Sequence, residues 1–85
     1  MAILIECDSR LLKVVKPKKG KTFKLEELQG FVEGLIEFHH LTDDDILVLN
    51  AEGAIEKLPI NYPASYIAGI CLRGNVLYCN SEEIE

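Results

Sequence analysis

The sequence predicts a small α+β domain: a mostly antiparallel sheet of about five strands with one main helix packed on one face. Three observations predict it. Short apolar runs rich in Val, Ile and Leu recur between turn residues, as strands do. One segment alone, Lys24–Gly34, carries sustained helical periodicity. The 85 residues, 48% of them hydrophobic, furnish one core and no second, so residues 1–85 are read as a single domain.

Each element follows from local chemistry. Ala2–Cys7 (AILIEC) is a short apolar run and reads as a buried strand. Asp8 and Ser9 form a turn pair whose side chains hydrogen-bond the nearby backbone. Arg10–Lys16 returns as a second strand, hairpin-paired with the first, until Pro17 withholds an N–H from the ladder. Lys16–Lys21 (KPKKGK) is then a solvated loop in which Gly20 supplies a positive φ.

In Lys24–Gly34 the residues Leu25, Leu28, Val32 and Leu35 align on one face. Glu26 and Glu27 favour the positive end of the helix dipole, and Gly34 suits the left-handed position that closes a helix. Gly30 inside it costs about 1 kcal/mol relative to Ala unless close packing demands it. Leu35–Leu41 reads as a strand with Ile36, Phe38 and His40 on one side and Glu37 and His39 on the other.

Thr42–Asp45 is an acidic turn before the strand Ile46–Asn50. Asn50–Gly53 has hairpin-turn chemistry, with Gly53 as the αL residue, so Ala54–Leu58 is expected to pair back as a short strand. Asn61 caps a short helical segment with Pro63 in its first turn, and Gly69 ends it. Ile70–Asn80 is either a hairpin turning at Arg73-Gly74-Asn75 or one strand kinked at Gly74. The acidic tail Ser81–Glu85 is expected to fray.

Composition limits the function classes. Cys7, Cys71 and Cys79 make an odd set without a CxxC spacing, which points to reduced thiols and a cytoplasmic setting. Cys71 and Cys79, flanked by apolar residues, are expected to be core hydrophobes. Met1–Cys7 lacks the basic start of a secretory leader, and no apolar run reaches membrane-spanning length. The net charge of −5 is unevenly spread: residues 1–24 hold seven basic side chains against two acidic, and residues 25–85 hold two against twelve. Such a division steers partners rather than setting a fold.

The string Leu25-Glu26-Glu27-Leu28-Gln29, the helix-ending Gly34, Ile36-Glu37, Leu49-Asn50-Ala51-Glu52-Gly53, Leu58-Pro59-Ile60-Asn61 and Ala64 stand in a familiar order. From about Lys16 to Cys79 the chain resembles a family of small domains catalogued as domain of unknown function 3846, met in bacterial genomes, phages and mobile elements. The resemblance implies a last strand containing a glycine, which favours the kinked form around Gly74. Many relatives end the helix with Gly-Gly, where this chain has Glu33 before Gly34. The family supplies no activity to carry over.

Three kinds of chemistry have candidate residues in the chain. Glu37, His39 and His40 beside Asp43–Asp45 suggest a metal, yet only Glu37 and His39 share a strand face, too few for a coordination sphere. No metal or other cofactor is therefore expected. There is no Gly-x-Ser-x-Gly elbow, glycine-rich phosphate loop or characteristic Cys–His spacing, so no catalytic site is expected. Lys18, Lys19 and Lys21, with Lys13 and Lys16, could meet phosphates, but an acidic chain without loop aromatics argues against nucleic acid.

Conversely, Glu26, Glu33 and Glu37 could extend an acidic face that occupies a basic groove on a host protein. Asn50, Glu52, Asn61 and Tyr62 are the candidate polar anchors for a small ligand in an apolar cleft, with Lys18, Lys19 and Lys21 as the basic alternative. The expectation is a non-catalytic binding or interaction module, with a protein partner or self-association and no membrane. The alternatives are an accessory protein that sequesters a nucleotide-like ligand or antagonises a host protein, and an unrecognised small enzyme.

Overall fold

The structure, a computed structural model, describes residues 2–7 and 12–85. Five strands form one antiparallel sheet: β1 (Ala2–Ile5), β2 (Leu12–Val15), β3 (Ile36–His40), β4 (Asp45–Asn50) and β5 (Val76–Asn80). Their spatial order is β2-β1-β5-β4-β3, so the last strand of the chain enters the middle. Helices α1 (Leu25–Val32) and α2 (Tyr62–Ala68) complete the fold. The α+β architecture with one main helix is the predicted one, and no helix among the described residues is long and apolar enough to cross a membrane. The turn expected at Asp8-Ser9 and the start of the second strand at Arg10 lie outside the described residues.

Strand alternation divides the core in two. Ala2, Leu4, Ile46, Val48, Leu77 and Cys79 turn toward α1, where they meet Phe23, Leu28 and Val32. Ile5, Leu47, Leu49 and Val76 turn the other way, toward Ala64 of α2 and Leu72. Because both faces are covered, β4 reads as a continuous apolar run rather than an alternating one. Phe23 is wholly buried and meets Phe31 edge to face at 5.7 Å. Within the expected helix face only Leu28 and Val32 are buried; Leu25 and Leu35 are exposed.

Five local expectations are corrected. Ala54–Leu58 is not a strand but a run of turns, with Glu56 N–H donating to Glu52 O at 2.8 Å and Leu58 N–H to Gly53 O at 3.0 Å. The reason is topological: β3 and β5 already occupy the two edges of β4, leaving no ladder for a return strand. Of Ile70–Asn80 only Val76–Asn80 is strand, because Gly74 breaks it with φ +81° and residues 70–73 run separately. They are tied to the α2 region by the Ile60–Arg73 bridge and by Leu72, whose O accepts from Asn61 N at 2.8 Å and whose N donates to Ser65 Oγ at 2.8 Å.

The glycines also play different parts from those expected. Glu33, not Gly34, takes the left-handed position after α1, at φ 61°. Gly34 is needed for space, since a Cβ there would lie 2.7 Å from Nδ2 of Asn50. Gly53 likewise has no positive φ; a Cβ on it would meet the backbone O of Arg73 at 3.1 Å. Lastly, Cys71 is exposed, whereas Cys79 is buried as expected.

Asn61 does cap α2, and it does more. Its Oδ1 accepts from Ala64 N at 3.1 Å, while Nδ2 donates to Ile5 O at 2.9 Å and Gly74 O at 2.8 Å. One buried amide thus joins the helix start to the ends of β1 and the approach to β5. Residues 81–85 carry a 3-10 turn (Ser81–Glu83) with an Asn80/Glu83 capping box. Phe23 N donates to Glu83 O at 2.7 Å and Glu85 N to Phe23 O at 3.1 Å, so this segment is stitched to the one before α1.

Candidate functional site

Strand β3 is an outer strand, and its pairing with β4 sets Glu37 opposite Leu49 and His39 opposite Leu47. Cross-strand partners share a face, so Glu37 and His39 stand on the α2 side of the sheet, and His40 on the α1 side. Helix α2 has only seven residues, and its buried Ala64 packs among side chains of β1, β4 and β5. The chain facing β3 on this side is irregular: the turns at 51–57 and the segment 70–73. Between them and β3 lies an open groove of about 500 Å³.

The groove has a mixed lining. Glu37 and His39 come from β3, Leu49 and Asn50 from the end of β4, Gly53 and Ala54 from the turns, and Cys71, Leu72 and Arg73 from the returning segment. Leu49 and Leu72 belong to the second core cluster and give it an apolar base. Its volume lies within the range of small-molecule sites.

Arg73 is held from two sides. Its Nη1 donates to Leu58 O at 3.0 Å, and the close approach of Gly53 to its backbone wedges the turns against it. No carboxylate among the described residues pairs with it; the ion pair described is Lys13 with Glu6, at 2.9 Å on the far side of the sheet. It is the one arginine among the described residues. His39 and Cys71 line the same groove, but no hydrogen bond joins imidazole to thiol.

The residues proposed from sequence are not brought together. Asn50 lines the groove, but its amide is committed: Nδ2 donates to Val32 O at 3.1 Å and Oδ1 accepts from Glu52 N at 2.7 Å. Glu52 is exposed beside it. Asn61 is fully buried and occupied by its three bonds, and Tyr62 is exposed at the start of α2. Lys18 and Lys19 border a depression with Lys24, Glu26 and Glu27 near the start of α1, where Lys18 N donates to Glu27 Oε2 at 3.2 Å. Lys21 is exposed in the adjoining loop.

Among the described residues no group of three or more His, Cys, Asp or Glu side chains converges to hold a metal ion. Two titrating groups are displaced for local reasons. Burial, with Glu83 nearby, pushes the Cys79 thiol up to about 12, which makes it an inert core side chain. A hydrogen bond with Asp45, then burial, raises the Tyr78 phenol above its ordinary value.

What sequence reasoning missed is that Arg73 lines one groove with Glu37 and His39 of β3. The available signal was charge: Arg73 and Lys57 are the two basic residues in an otherwise acidic stretch from 25 to 85. A family model described as a domain of unknown function (DUF3846) matches residues 1–85, the whole chain. No curated protein and no solved structure matches it.

Proposed function

The chain belongs to that family, the domain of unknown function DUF3846, and from this premise we propose that it is a non-catalytic binding module that receives its ligand in the groove between β3 and residues 70–73. One observation carries the reading. Every buried side-chain nitrogen and oxygen among the described residues has a hydrogen-bond partner, so the buried polar groups are spent on the fold. Glu37, His39 and Arg73, by contrast, stand around an open cavity with an apolar base. That combination of few polar groups over apolar surface is the usual makeup of a ligand site.

The non-catalytic part of the reading rests on the spacing of reactive groups. Cys71 and His39 lack the mutual hydrogen bond by which a base activates a nucleophile. A thermal-shift screen of small metabolites tests the reading, because a ligand of the folded state raises its stability, by about 2.7 kcal/mol at a hundredfold excess over Kd. Ala54 is exposed and borders the groove, so Ala54→Trp narrows it without entering the core. A ligand should raise Tm in the parent protein and lose that effect in Ala54→Trp. Equal shifts in both proteins place the ligand elsewhere and contradict the reading.

A further inference from the structure

We infer that the groove is selective for small amphiphilic anions, with a carboxylate or phosphate group held side-on by Arg73 and an apolar body laid on Leu49 and Leu72. The inference rests on the groove being the binding site, and adds the class of ligand. Arg73 carries five N–H donors, of which Nη1 supplies the bond to Leu58 O at 3.0 Å. Nε and Nη2 donate to no acceptor, and no carboxylate forms an ion pair with the guanidinium, among the described residues. Their two parallel N–H bonds form the edge that matches two oxygens of a carboxylate or phosphate.

The bond to Leu58 O holds the guanidinium in place before any ligand arrives. Less side-chain entropy is then lost on binding.

The other wall shapes the rest of the ligand. Glu37 lines the same groove and repels a second anionic group there, while accepting a hydrogen bond from an N–H or O–H donor. The fitting ligand is therefore polar in order: anion at Arg73, apolar middle, donor toward Glu37 and His39. A polyanion fits poorly, and so does an uncharged hydrocarbon.

Three probes of one shape test this: phenyl phosphate, benzoate and neutral benzyl alcohol, each titrated while the backbone amide shifts of the protein are followed. Both anions should perturb Leu49, Gly53 and Leu72, with benzyl alcohol about tenfold weaker or more, as loss of a charged hydrogen-bonded contact implies. The phosphate and carboxylate arms show which head group the fork prefers. Arg73→Gln should bring the anions down to the level of the alcohol, and Arg73→Lys should fall between. Should Arg73→Gln fail to fold, the comparison of charged and neutral probes on the unaltered protein still decides. Benzyl alcohol binding as well as the anions overturns the anion assignment and leaves the groove standing. Shifts confined to Lys16–Lys21, or none in the groove with any probe, overturn both.

Discussion

The two faces of the sheet solve the same problem differently. On the α1 side, an eight-residue helix and the wholly buried Phe23 build a continuous apolar cluster to which residues 81–85 are tied. A depression of about 540 Å³ remains between Val15 and Lys16 of the sheet edge and Gly30 and Phe31 of the helix. On the α2 side a shorter helix covers only the β1-β5-β4 region, and irregular turns stop short of β3. Tyr66, at 91% exposed, and the exposed Ile67 and Ile70 show how much of this layer is left unburied. The α1 face supplies stability. The α2 face keeps an open groove beside β3, lined by Glu37, His39 and Arg73, and the proposed ligand is assigned to it.

The comparison is broken most severely at Phe23. Phe23→Ala should destabilise the domain by about 4 kcal/mol in urea unfolding, through lost burial and the cavity left behind. Tyr66→Ala, on the outer side of α2, should change it by less than about 0.5 kcal/mol, as exposed substitutions do. Similar losses from the two would mean that the α2 layer carries buried load that the exposure of Tyr66 denies.

A smaller effect belongs to the polar tie on the α2 side. Asn61→Ala removes the helix cap and leaves Ile5 O and Gly74 O without their donors, so stability should fall by about 3 kcal/mol. Because this amide holds the end of β1 and the approach to β5 against α2, hydrogen exchange should quicken first at Ala64–Gly69 and Val76. A uniform rise across α1 as well would show that the two faces open together.

Much of this was legible in the sequence, and the division follows physical range. α1, the hairpin of β1 and β2, β4 and the Asn61 cap depend on neighbours within a few residues, so periodicity and cap chemistry found them. The mistaken strand at Ala54–Leu58 has local apolar character too, but whether it can pair depends on β5 arriving from 20 residues further on to take the edge of β4. Gly34 and Gly53 look like turn glycines in sequence, yet each is demanded by a distant atom, Nδ2 of Asn50 and the backbone O of Arg73. The groove was illegible for the same reason: 37–39, 49–54 and 70–73 meet only in the folded chain.

The smallest effect sharpens the contrast from the α1 side. Gly30 sits exposed within α1, where an added Cβ would meet nothing within 4 Å. Close packing therefore does not require it, and Gly30→Ala should stabilise the protein by about 0.5–1 kcal/mol through helix propensity alone. Gly34→Ala, one turn on, should destabilise it, because the new methyl displaces the Asn50 amide. Opposite signs in a pair of thermal melts would confirm that one glycine is dispensable and the other spatial; equal signs would contradict it.

A crystallographic fragment screen on the unaltered protein tests the central claim most directly, because it surveys both faces at once without choosing a ligand. The account predicts that bound fragments cluster between Glu37, Leu49, Leu72 and Arg73, with acidic fragments seated on the guanidinium. Fragments gathering instead beside α1, around Lys16, Lys18 and Phe31, with the β3 groove left empty, would contradict it.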